Sequence, residues 1–223
     1  MKYFAAATVL SLCLITPGLA ADTTTAADQL TAGVSLSNTR AAAEHGDAAA
    51  QNELGLTYKE GRSGLAKDAV EAVAWFRKAA EQGYAEGQIN LAYMYISGRG
   101  VTQDDFQGVA WMRKAAEQGA GEAQVGLGLC YQKGQGVPPD AAQAALWYHK
   151  AADQGDAGGQ LHLGFMYLEG RAVAQDNEEA RRWFKKAADH PDGSNWTNSN
   201  RKLAQLFLDM TRESADSKPA SAR

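Results

Sequence analysis

Tryptophans recur at Trp75, Trp111, Trp147 and Trp183, each 36 residues after the one before. A fixed period of that size is the signature of stacked supersecondary units, each of which buries its apolar face only against a neighbour. The expected fold is therefore all-α: an α-solenoid, a superhelix of four helix-turn-helix repeats with a capping helix at each end. Residues that recur in every unit are explained by stacking. Function must be sought in what differs between units.

Aligned on tryptophan, the repeats are 47–83, 84–119, 120–155 and 156–190. Each opens with a glutamine (Gln51, Gln88, Gln124, Gln160), followed by a leucine and a tiny residue: Leu54-Gly55, Leu91-Ala92, Leu127-Gly128, Leu163-Gly164. A tyrosine comes four residues after each leucine (Tyr58, Tyr95, Tyr131, Tyr167). This spacing marks one face of a helix, here helix A, and the tiny residue lets a neighbouring helix approach closely. Gly61, Gly98, Gly134 and Gly170 follow as expected left-handed stops. Asp68, Asp104, Asp140 and Asp176, each three residues before a Glu or Gln, are expected to cap a second helix, helix B, rather than line a catalytic or metal site. Helix B carries Ala-x-x-Trp-x-x-Lys-Ala-Ala, with Gly108 in place of the first alanine in the second unit. Its tryptophans are expected to be core residues shared by adjacent hairpins, Trp111 above all. Helix B ends at Gly83, Gly119 and Gly155, but the fourth unit has Pro191, so the array stops there. The first unit has one extra residue, in its A–B loop.

The flanks complete the organisation. Lys2, the apolar run Tyr3 to Ile15 and the small residues ending at Ala20 make 1–20 a signal peptide. That run is too short for a membrane span, and no later segment approaches the ~20 residues needed. Cys13 fails as a lipidation site because Leu12, not a small residue, precedes it. Residues 21–36 are expected to be a flexible segment, 37–46 an N-terminal half-repeat cap, 191–210 a C-terminal capping helix and 211–223 a disordered tail. The mature chain is expected to be exported, to the periplasm. Its charge, −4 before cleavage, becomes −5 once Lys2 is lost, and no basic stripe offsets it, which excludes nucleic acid as a partner. Cys130 is then the only cysteine, expected as a small buried hydrophobe.

With these positions placed, the pattern A-x-x-Q-x-x-L-G-x-x-Y-x-x-G-x-G-V-x-x-D-x-x-x-A-x-x-W-x-x-K-A-A-x-Q-G resembles the Sel-one-like repeat (SLR) family, over residues 38 to 190. The loop Gly98-Arg99-Gly100-Val101, repeated as Gly134-Gln135-Gly136-Val137, separates it from the tetratricopeptide unit. The fourth unit departs with Ala172 for the second glycine. The resemblance implies a non-enzymatic module for protein–protein interaction. In the bacterial envelope such proteins act as immunity partners of secreted type VI phospholipase effectors, as regulators of envelope signalling, or in host interaction. A cysteine-rich branch is linked to β-lactamase activity, but this chain lacks the cysteine pairs that mark it, which leaves weak hydrolysis as a distant alternative.

In related solenoids helix A lines the concave surface with positions off its packing face. Two residues before the reference leucine stand Asn52, Ile89, Val125 and Leu161; two after it, Leu56, Tyr93, Leu129 and Phe165; five after it, Lys59, Ile96, Gln132 and Leu168. Nine of the twelve are apolar, so a second apolar stripe runs beside the packing face, either as core or as a groove for a partner. The candidate partner-binding residues are Ile89, Tyr93, Ile96, Val125, Leu129, Leu161, Phe165 and Leu168. Tyr93 and Phe165 are the candidate anchors, because aromatics dominate interfaces. No cofactor, metal or catalytic set is expected. His45, His149, His162 and His190 share no ligand spacing, His149 is expected to be solvated, and no nucleophile or phosphate-loop motif is present. The oligomeric state is left open.

Overall fold

The amphipathic pattern of each unit yields a helical hairpin. The computed structural model describes residues 26–190 and 198–216, and the signal peptide at 1–20 lies outside them. Ten helices run in chain order: α1 (Ala26–Glu44), α2 (Ala48–Glu60), α3 (Ala69–Glu81), α4 (Ala85–Ser97), α5 (Asp105–Glu117), α6 (Gly121–Lys133), α7 (Ala141–Asp153), α8 (Ala157–Glu169), α9 (Asn177–Ala188) and α10 (Asn198–Asp216). The described residues contain no strand. Helices α2, α4, α6 and α8 are the A helices; α3, α5, α7 and α9 are the B helices. Each packs on its neighbours in sequence, and A helices of adjacent units also touch, α2 with α4 and α6 with α8. Such nearest-neighbour stacking is the solenoid expected from the period. No helix among the described residues is long and apolar enough to cross a membrane.

Local chemistry sets the boundaries. Asp68, Asp104, Asp140 and Asp176 each accept a backbone N–H three residues on, at 3.0 Å, at the start of a B helix. The A helices differ among themselves. Asp47 and Asp156 cap α2 and α8 by accepting from Ala50 and Gly159, whereas α4 and α6 begin at Tyr84 and Ala120 without a side-chain cap. Gly61, Gly98, Gly134 and Gly170 close the A helices with φ between 64° and 71°. The ends depart from expectation. Helix α1 starts at Ala26, inside the segment expected to be flexible, and α10 runs past 210 into the expected tail. Both flanks supply longer capping helices than their composition suggested.

The core corrects the emphasis on tryptophan. Trp111 does pack against the clusters of two adjacent hairpins, but Trp75, Trp111 and Trp183 are only half-buried. One ring face of each tryptophan is covered by the lysine three residues later, with Nζ 3.7 to 3.9 Å from the ring centroid, a cation–π contact worth ~0.5–1 kcal/mol. The fully buried side chain is the one after tryptophan: Phe76, Met112, Tyr148 and Phe184. It sits against the tiny residue of helix A. A Cβ on Gly55, Gly128 or Gly164 would fall 2.5 to 2.6 Å from the ring of Phe76, Tyr148 or Phe184. The second unit, with the slimmer Met112, has Ala92 there. Small and large residues covary across the hairpin because the volume between the helices is constant.

Candidate protein-binding face

Burial divides the second stripe of helix A. Ile89 and Leu161 are 6% and 5% exposed, and both belong to core clusters. Ile96 is half-buried against the same cluster as Ile89, its Cγ1 where a Cβ on Gly108 would come within 2.6 Å. Val125 and Leu129, half-buried, pack against the core cluster that holds Tyr148, Leu163 and Met166. Phe165 and Leu168 pack on Phe184 together with Phe207 of α10. The ring of Phe165 meets Phe184 and Phe207 edge-on, at 5.2 and 4.7 Å between centroids. Phe165, taken from sequence as an interface anchor, is thus part of the seal between the last repeat and its cap. The pattern misled because an apolar helix A residue in the last unit has α10 to cover it, and α10 is distant in sequence.

Tyr93 differs from the rest of the stripe. It is 43% exposed, while its hydroxyl is partly desolvated and hydrogen-bonded to Glu122 at the start of α6; burial first, and then Glu122, push its pKa up to about 12. Beside it a cleft of about 350 Å³ opens between the C-terminal ends of α2 and α4 and the loop that follows α2. Tyr93 and Met94 form its apolar part, and Lys59, Lys67 and Arg99 bring positive charge to it. Lys59 occupies a stripe position; Lys67 and Arg99 lie in loops and were not singled out from sequence. The most exposed aromatic among the described residues, Phe106 at 75%, lies near the start of α5 and off helix A altogether. Nothing in its spacing distinguishes it from a core residue.

Two of the histidines pack against aromatic rings, while His45 is exposed. His149, expected to be solvated, is half-buried, and its ring meets Tyr167 and Trp183 edge-on at 6.3 and 6.2 Å. His162 stacks on Tyr148 at 4.8 Å, and burial lowers its pKa, with Asp156 opposing and Lys133 assisting the shift. Cys130 is buried, as its repeat position implied, and burial raises its pKa. Among the described residues no three His, Cys, Asp or Glu side chains gather as a metal site requires.

Helical hairpins stacked through a glutamine, a tiny residue and a tyrosine match a known family. The Sel1 repeat model fits residues 48–84, 85–119, 121–156 and 157–192. The chain belongs to the Sel1 repeat family. Among solved structures it is similar to a protective antigen present in uropathogenic Escherichia coli strains, which displays an SLR fold. Identity there is 37%, the TM-score 0.67, and the match covers 80% of this chain and 41% of the antigen, so the chain spans well under half of that protein. A Sel1 repeat protein from Oxalobacter formigenes is 31% identical with a TM-score of 0.68, covering 86% of this chain and 78% of that one. Among curated proteins none matches the chain. Sel1 repeat proteins generally mediate protein–protein interaction, and the fold is typically a non-catalytic scaffold.

Proposed function

We propose that the chain is a non-enzymatic periplasmic binding module that holds a segment of a partner protein against the A-helix face of its first two repeats. The observation that carries this is Tyr93. It is an aromatic on a stripe whose other apolar residues are buried or half-buried, and it is exposed next to a cleft that the fold leaves unfilled. Rigid aromatics beside such clefts are the usual anchors of interfaces. Export is supported by the signal pattern at residues 1–20. The partner class favoured by the family resemblance is a secreted phospholipase effector, neutralised by this chain as its immunity protein; a regulator of envelope signalling is the second candidate. Tagged mature protein and its Tyr93→Ser variant, used as bait in periplasmic extract with quantitative mass spectrometry, test the reading. A phospholipase retained by the parent and reduced about tenfold or more on the variant, at unchanged melting temperature, is the expected result. Equal retention by both baits overturns the Tyr93 face. N-terminal sequencing of the fractionated protein tests export, with cleavage expected after Ala20.

A further inference from the structure

Lys59, Lys67 and Arg99 converge on one cleft of a chain whose net charge is −4. Among the described residues none of the three has a carboxylate within ion-pairing distance. The single acid in the lining, Glu60, is engaged by Arg62 at 2.8 Å. Comparing units explains why Arg99 is unpaired. In the first and fourth units the last turn of helix A carries an acid two residues before the loop arginine, giving Glu60–Arg62 and Glu169–Arg171 at 2.8 and 2.7 Å. In the second unit that acid is Ser97, so Arg99 has no internal partner. Lys59 replaces the apolar or neutral Ile96, Gln132 and Leu168 of the other units, and Lys67 lies in the loop lengthened by one residue. The neutral polar groups of the lining are engaged internally: Asn90 donates to Asn52 at 2.9 Å, the Ser97 hydroxyl to the Tyr93 carbonyl at 2.7 Å, and the Tyr93 hydroxyl to Glu122.

We infer that this cleft is a recognition site for an acidic peptide segment, its carboxylates reaching Lys59, Lys67 and Arg99 while an apolar side chain rests on Tyr93 and Met94. The volume, about 350 Å³, is in the range of small binding clefts. Charge-assisted hydrogen bonds from lysine and arginine are the strong contacts on offer, and no internal acid competes for them. A compact phosphate is the weaker fit. The cleft lies at helix C-termini, where backbone carbonyls rather than N–H groups face out, and its cations are spread around an apolar floor instead of converging on a nest. The inference rests on the reading that a protein partner occupies the A-helix face, and it names the chemistry of that partner's docking segment.

Titration of the mature protein with the peptide acetyl-Glu-Asp-Leu-Glu-Asp-amide at low salt, followed by NMR shifts, tests the inference. The amide counterpart acetyl-Gln-Asn-Leu-Gln-Asn-amide and inorganic phosphate serve as the other probes. The acidic peptide is expected to bind about tenfold or more tightly than its amide counterpart, to weaken as sodium chloride screens the charges, and to shift signals of Lys59, Tyr93 and Arg99. The Lys67→Gln/Arg99→Gln variant should lose that binding at unchanged helicity, and Arg171→Gln, a control in the fourth unit, should retain it. Equal binding of the two peptides, undiminished binding by the double variant, or phosphate displacing the peptide as the tighter ligand each overturns it. The synthetic probe separates this site from the broader reading. Peptide binding that needs Lys67 and Arg99, combined with partner capture that ignores them, supports the site and removes the partner from it. Failure of the peptide alongside a Tyr93-dependent partner does the reverse.

Discussion

The inner repeats and the last repeat share one architecture but are held together differently. In the inner units the same two hydrogen bonds recur, one between units and one within each. The arginine two residues after tryptophan donates to the tyrosine of the next unit, Arg77 to Tyr95 and Arg113 to Tyr131, both at 2.9 Å. The glutamine after helix B donates to the opening glutamine of its own unit, Gln82 to Gln51 and Gln118 to Gln88, both at 2.7 Å. At the fourth unit both links are rewritten. His149 stands where the arginine would be and meets Tyr167 only edge-on. His190 stands where the glutamine would be, and the buried Oε1 of Gln160 has no hydrogen-bond partner. The fourth unit instead packs Phe165 and Phe184 on Phe207, with Phe184 and Phe207 stacked at 5.5 Å. A unit with neighbours on both sides can rely on directional bonds repeated from unit to unit; the last unit must bury its open face, and aromatic area does that without register.

Four measurements break or sharpen this contrast, beginning with the largest effect. Tyr148→Ala and Phe184→Ala each empty a fully buried site and should cost about 3–5 kcal/mol. The first should lower one cooperative melt, whereas the second should release α9 and α10 first, seen as early hydrogen exchange there. Identical exchange patterns for the two would show that the last unit is no different. Next comes the second glycine of the A–B loop. A Cβ at Gly136 would lie 2.2 Å from the Asp105 carbonyl oxygen at φ 65°, so Gly136→Ala should cost about 2 kcal/mol or more. Ala172 already holds φ 61°, so Ala172→Gly should instead stabilise by about 1 kcal/mol in denaturant unfolding. Matching signs for the pair would refute the asymmetry.

The glutamine row gives smaller effects. Gln118→Ala strips the Gln88 oxygen of its donor and should cost about 1 kcal/mol, while His190→Gln offers Gln160 a donor and should gain a similar or smaller amount. The smallest effect is pH dependence. Burial lowers the His162 pKa, so between that value and the ordinary histidine pKa the unfolded chain binds more protons than the folded one. Stability from this group is present at neutral pH and falls on acidification. His162→Asn, which copies Asn90 of the second unit, should flatten the melting temperature between neutral and mildly acidic pH; an unchanged slope would show that His162 does not carry it.

Most of the stacking was legible in one chain because it is written four times. The aspartate caps, the left-handed glycines and the close approach at Gly55, Gly128 and Gly164 follow from residue type and spacing. The candidate site was legible only in part. Tyr93 and Lys59 lie on the stripe read from helix A, yet the same periodicity also selected Ile89 and Leu161, which are core, and Phe165, which packs under α10. Helical spacing tells which residues share a face but not what covers it. Arg99 carried a usable signal, the missing acid at Ser97, which emerges when each loop arginine is compared with the residue two before it.

The sequence alone determined the all-α class and the stacking of helical hairpins, since each follows from local pattern repeated at a constant period. Tertiary structure decided which face is solvent. Whether Phe165 is an anchor or a seal depends on α10 folding back over the last unit. Whether three cations form a site depends on the ends of α2 and α4 meeting across a loop. The first contact joins segments whose separation in sequence carries no period, and the second brings together side chains in which the units differ, so only the folded chain shows either.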